Sequence, residues 1–134
     1  MVDEKVSPIY QEVHRYKQAV ETQDKDTFFS LWATGCETSL ISLGTCYRST
    51  DRIYQDFLLG GIQKTYSSIE LDILSIEGRL LSEDCAVAIF SYRTRCIRRE
   101  TGEPYGIAGL ETQVFVKEGE TWKLAHVQYA KTDE

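Results

Sequence analysis

The chain has 134 residues, 42% hydrophobic and 27% charged, the size and balance of one globular domain spanning 1–134 with a conventional core. Its net charge of −6 disfavours a nucleic-acid partner, which would need concentrated positive charge. No apolar run approaches the ~20 residues that cross a bilayer, and Met1-Val2-Asp3-Glu4-Lys5 holds no leader-like apolar segment, so neither membrane nor secretion is expected and a cytoplasmic location is.

Helical spacing opens the chain. Val6, Ile9, Tyr10, Val13, Tyr16, Ala19 and Val20 recur every three or four residues and form one apolar stripe. Ser7-Pro8 is a start signal, with Ser7 as cap. His14 falls off the stripe and is expected in solvent. A second short helix fits Asp26 to Ala33, carrying Phe28, Phe29, Leu31 and Trp32, and Gly35 stops it. Ser39 to Leu43 reads as a short strand ended by Gly44. Ser49 or Thr50 can cap a third helix in which Ile53, Tyr54, Phe57 and Leu58 share a face and which Gly60-Gly61 terminates.

The period then changes to two. Ile69, Leu71 and Ile73 alternate with polar residues, and the phase slips at Leu74 and Ile76, the mark of a β-bulge that bends a strand. Long strands follow over Cys85 to Ile97, Tyr105 to Val116 and Thr121 to Ala130, separated by turns at Glu100 to Pro104 and Glu118-Gly119-Glu120. Helices followed by long antiparallel strands give an α+β fold, a curved antiparallel sheet wrapped around three N-terminal helices and enclosing a cavity.

The cysteines Cys36, Cys46, Cys85 and Cys96 form no Cys-x-x-Cys pair, and the chain has two histidines, so no metal site is expected and free buried thiols are. No cofactor is implied. Arg93, Arg95, Arg98 and Arg99 read as a solvated strand end or as an anion site.

The order of elements and the segments Glu111-Thr112-Gln113-Val114-Phe115 and Gly119 to Tyr129, with Trp122 and His126, resemble the SnoaL-like branch of the nuclear-transport-factor-2-like superfamily from about Ser7 to Tyr129. The calcium/calmodulin-dependent kinase association domain is similar in both segments. The resemblance implies a cone-shaped, cystatin-like α+β barrel with an internal pocket. Ketosteroid isomerase is similar too: Arg15-Tyr16 stands where its first-helix pair places an oxyanion-binding tyrosine, and Glu111 where its protonated acid stands. Leu40, flanked by Ser39 and Ile41, holds the place of its general base, so that steroid chemistry is not expected.

Two expectations follow. One is a small-molecule-binding protein with Tyr16, Trp32, Phe57, Tyr92, Thr94, Glu111, Gln113, His126 and Gln128 around an internal pocket. Isomerase, cyclase or dehydratase chemistry would use His126 for proton transfer, with Tyr16 or Glu111 donating hydrogen bonds. For several of these a purely structural role is the rival: core packing for Tyr16, Trp32 and Phe57, a bond to the neighbouring strand for His126, and an ion pair with Arg93 or Arg95 for Glu111. The second expectation is a non-catalytic association module. Both imply a homodimer through the open face of the sheet, with Val87, Ile89, Val114 and Val127.

Overall fold

The computed structural model describes residues 4–132. Helix α1 (Ser7–Thr22) buries Ile9, Val13, Tyr16, Ala19 and Val20, the stripe expected from the spacing. Its cap differs: Val6 precedes the helix without a side-chain bond, and Ser7 lies inside the first turn. Helix α2 (Lys25–Ser30) is shorter than expected, and Phe28, Leu31 and Trp32 carry on into the core as the chain leaves it.

A hairpin follows, made of β1 (Ser39–Ser42) and β2 (Thr45–Arg48). Its return strand β2 was hidden in the sequence because Gly44 read as a stop. The tip is Leu43-Gly44, both at positive φ (49° and 83°), the backbone of a tight two-residue hairpin turn. Helix α3 (Thr50–Arg52), capped by the Ser49 hydroxyl, runs straight into a π-helical stretch, Ile53–Gln63. The expected stop at Gly60-Gly61 does not occur. A Cβ on Gly60 would stand 3.1 Å from the carbonyl of Gln55, five residues earlier, so the bare backbone leaves room for the wide turn to continue.

The remaining strands are β3 (Tyr66–Ser82), β4 (Cys85–Arg98), β5 (Pro104–Tyr105), β6 (Ala108–Glu118) and β7 (Thr121–Thr132). The sheet order is β2-β1-β7-β6-β4-β3, with β5 added to β4. All pairs are antiparallel except β1 with β7, so the sheet is mixed at that one seam. The expected bulge appears as a register shift between Ile73 and Ser75. A second one matters more: Val114 pairs with His126 but Phe115 with Leu124, leaving Ala125 as the extra residue of β7. Bulges of this kind bend and twist the sheet into a half-barrel around α1.

The outer strand β3 is protected by α1. The Glu21 carboxylate accepts the backbone N–H of Leu71 at 2.8 Å, and the Tyr10 hydroxyl accepts that of Gly78 at 2.9 Å. Groups that an edge strand would leave open are thereby satisfied from the helix.

All four cysteines are free, but not all are buried: Cys36 and Cys46 are exposed, because one sits in the loop before β1 and the other on the hairpin's outer strand. Among the described residues no helix is long and apolar enough to cross a membrane.

Gly109 on β6 is where backbone and site meet. It pairs with Tyr92 on β4 and Lys131 on β7, and a Cβ there would lie 2.5 Å from the Tyr92 hydroxyl and 2.6 Å from the Ala130 carbonyl. A Gly109→Ala variant should lose about 2 kcal/mol through overpacking, read as a lower urea midpoint at unchanged slope. An unchanged midpoint would show that Tyr92 does not need this gap.

Candidate ligand-binding site

A cavity of about 470 Å³ lies between the concave face of the sheet, the end of α1, the π-helical stretch and the β1–β2 hairpin. Its wall is mainly apolar and aromatic, with Tyr47, Phe57, Tyr66, Tyr92 and Tyr129 contributing rings. Phe57 stacks on Tyr129 with centroids 5.6 Å apart, and Tyr92 meets Tyr129 edge-on at 5.7 Å. Such contacts hold the rings in fixed orientations, so the cavity has a defined shape. The mouth is formed by Ser42, Leu43 and Thr45 of the hairpin with Thr65 and Lys131. Leu43 is 76% exposed, an apolar side chain standing in solvent at the rim.

Behind the two tyrosines lies a buried polar cluster. Alternation along β6 places Glu111 and Gln113 on the concave face, and both are fully buried. The Gln113 side-chain N–H donates to Glu111 Oε2 at 2.7 Å, while Glu111 Oε1 and Gln113 Oε1 have no hydrogen-bond partner. Tyr16, on the buried stripe of α1, shares a 2.6 Å hydrogen bond with the Tyr129 hydroxyl. Burial drives the Glu111 carboxyl up to about 8, against the lowering effects of the Gln113 amide and the Tyr129 hydroxyl. The carboxyl is therefore mainly neutral at pH 7. Gln113 occupies Oε2, so the acid proton is best placed on Oε1, the atom left without a partner.

Burial, and then the charge Glu111 would carry, push Tyr16 and Tyr129 well above the usual tyrosine range; the same two causes bring Tyr92 to about 12. The cluster is thus four protonated groups, with Tyr92 and Tyr129 at the cavity wall and Tyr16 and Glu111 buried behind them.

The residues singled out from the sequence divide cleanly. Phe57, Tyr92 and Thr94 line the cavity. Tyr16, Glu111 and Gln113 form the layer behind it. Trp32 belongs to the core, packed on Phe28 and Tyr16, its indole N–H buried without a partner. His126 and Gln128 are not with the pocket group. The extra residue Ala125 reverses which side chains of β7 face inward, so Val127, Tyr129 and Lys131 turn to the concave face and His126 and Gln128 to the outer one. There His126 Nδ1 and the Ser39 hydroxyl share a 2.7 Å hydrogen bond across the parallel seam, and Gln128 is exposed. Val127, expected on the outer face, is fully buried for the same reason.

Tyr129 is the member that sequence reasoning missed. Its signal was the apolar phase of β7, which slips between Leu124 and Val127 as that of β3 slips at Leu74.

The expected ion pair between Glu111 and an arginine does not form, because Arg93 and Arg95 alternate to the opposite face of β4. Arg95 instead binds Asp72 at 2.7 and 2.9 Å and pairs with Glu70. Arg98 lies over the Tyr105 ring at 4.0 Å. Arg99 donates to the carbonyls of Gln63 and Tyr66 at the end of the π-helical stretch. Arg95, Arg98 and Arg99 therefore have work within the fold. Leu40, in the place of the isomerase base, is fully buried in the core.

No family model and no curated protein matches the sequence. Solved structures do. A nuclear transport factor 2 (NTF2-like) superfamily protein of Salmonella enterica serovar Typhimurium matches with a TM-score of 0.89 at 24% identity, over 97% of this chain and 92% of that one. The hexachlorocyclohexane dehydrochlorinase LinA-type3 of Novosphingobium barchaimii matches at 0.81 and 13%, over 95% and 86%. A Xanthomonas campestris protein provisionally assigned as a calcium/calmodulin-dependent protein kinase II association domain matches at 0.81 and 18%, over 98% and 91%. At these identities the likeness shows the fold: the chain has the NTF2-like, cystatin-like α+β architecture. Among these structures the fold carries a dehydrochlorinase and a provisionally assigned association domain, so it does not choose between the two readings.

The carboxyl's position makes stability depend on pH. Unfolded, Glu111 ionises around its ordinary value of 4.5; folded, it keeps its proton until about 8. Between these values the folded state binds the extra proton, so stability falls as pH rises from about 4.5 to about 8 and then levels off, by a few kcal/mol in all. Glu111→Gln, which copies the neutral acid, should flatten that slope and melt above the wild type at pH 8. A slope that survives the substitution would place its origin elsewhere.

Proposed function

We propose that this chain binds a small, largely apolar molecule in the concave cavity and holds an oxygen of that molecule, of carbonyl type, against the tyrosine-lined wall. The observation that carries this reading is the fully buried Glu111–Gln113 pair with the Tyr129–Tyr16 hydrogen bond, set directly behind the cavity. Polar groups sealed in an apolar interior cost stability unless they are satisfied, and two atoms of this cluster are not. A fold that keeps such a cluster at the wall of an aromatic pocket gains from it only if the donors act on something in the pocket.

The chemistry this supports is hydrogen-bond donation to an oxygen that gains negative charge, the acid half of isomerase- or dehydratase-type proton transfer. The base half would have to come from a group other than His126, which lies on the opposite face. The structural likeness to a dehydrochlorinase is consistent with pocket chemistry and does not supply the missing base.

The second reading, an association module, draws on the outer face of the sheet, where Ile89 and Val114 are half-buried and Leu110 is 47% exposed. A homodimer through this face, which both readings carry, would cover them.

A thermal-shift panel of aromatic and alicyclic ketones tests the first reading, run in parallel on Phe57→Trp, which fills the cavity, and Tyr92→Phe. A ligand at about 100 times its Kd stabilises by about 2.7 kcal/mol, so a hit should raise Tm by several degrees in the wild type, less in Tyr92→Phe and not in Phe57→Trp. No hit across the panel, together with a dimer by sedimentation velocity, would favour the association reading.

A further inference from the structure

Among the described residues the cavity's lining carries one formal charge. Lys131, the third inward-facing side chain of β7 beyond the Ala125 bulge, after Val127 and Tyr129, stands at the mouth, and no carboxylate is among the described residues that line the cavity. The chain as a whole has 21 acidic and 15 basic residues, so a lone cation here runs against the prevailing sign. Among the described residues no salt bridge engages Lys131, and its side chain is exposed.

The neighbouring strand positions bring a hydroxyl close to it. Lys131 pairs with Gly109, and on Gly109's other side stands Tyr92, whose hydroxyl occupies the space a side chain at position 109 would need. The Tyr92 hydroxyl thus stands over buried Gly109, one strand position from Lys131, and both residues line the same cavity.

We propose that Lys131 and Tyr92 form a head-group site at the cavity mouth, and that the ligand class is an aromatic or alicyclic molecule bearing an anionic group, a carboxylate or its equivalent. This rests on the cavity being the binding site and specifies what it takes. The apolar body fills the space between Phe57, Ile69, Leu71 and Tyr129, while the anion remains at the rim, where Lys131 offers N–H donors and charge and Tyr92 an O–H. Leaving the charge at the rim avoids desolvating it fully, while the ligand's apolar body leaves water.

Two fluorescent probes with the same body separate the claims: anilinonaphthalene sulfonate, which is anionic, and phenylnaphthylamine, which is neutral. Each is titrated into wild type, Lys131→Gln, Lys131→Arg and the cavity-filling Phe57→Trp, with melting curves confirming that each variant is folded. The anionic probe should bind wild type about tenfold tighter than the neutral one, lose about that factor in Lys131→Gln, and recover it in Lys131→Arg. Its affinity should also weaken with added salt while the neutral probe's does not, and Phe57→Trp should exclude both. Equal affinity of the two probes, or indifference of the anionic probe to Lys131→Gln, would overturn the head-group site and leave the cavity reading standing. Failure of both probes to bind, or binding undiminished in Phe57→Trp, would overturn the cavity reading and this inference with it.

Discussion

A carboxyl group with no access to water is the constraint around which the rest of this structure is arranged. Glu111 is fully buried, no cation among the described residues pairs with it, and its polar partners are an amide on its own strand and a tyrosine on the next. Isolated ionised carboxylates are too costly to bury, so the group keeps its proton instead. The same burial acts on the groups around it: Tyr129 and Tyr16 remain protonated and bonded to each other, and Tyr92 stays protonated at the cavity wall. The curvature of the sheet brings these groups together from α1, β4, β6 and β7, and the bulge at Ala125 delivers Tyr129 to the right face.

Much of this was legible in the sequence. The helical stripe of α1, the bulge near Leu74 and the long strands follow from periodicity alone, because burial on one face imposes a strict period on the apolar residues. Glu111 and Gln113 could be placed together inside by alternation along an unbroken strand. What failed was alternation across an interruption. One extra residue, Ala125, moved His126 and Gln128 out of the pocket and Tyr129 and Lys131 into it. A single unpaired residue inverts every side chain beyond it, and the neighbouring Ala125-His126 pair gives little polarity contrast by which to notice it. The hairpin strand β2 and the continuation through Gly60-Gly61 were obscure for a related reason: glycine marks both a stop and a place where unusual backbone is tolerated, and position alone does not say which.

The cavity and the sheet's outer face give the protein two surfaces with different demands. The concave side combines an aromatic wall, a donor cluster and one cation, a set that suits a small molecule with distinct apolar and polar ends. The convex side carries the Ser39–His126 bond and half-buried aliphatic residues, which suit contact with another flat surface. The two are separated by one layer of strands.

The protonation state of Glu111 is read directly by a carbon-13 NMR titration of the side-chain carboxyls in glutamate-labelled protein, with Glu111→Gln used to assign its resonance. This one signal should titrate near 8, far from the ordinary range. A midpoint near 4.5 would mean an ionised carboxylate at neutral pH, and the donor cluster on which the functional reading depends would not exist.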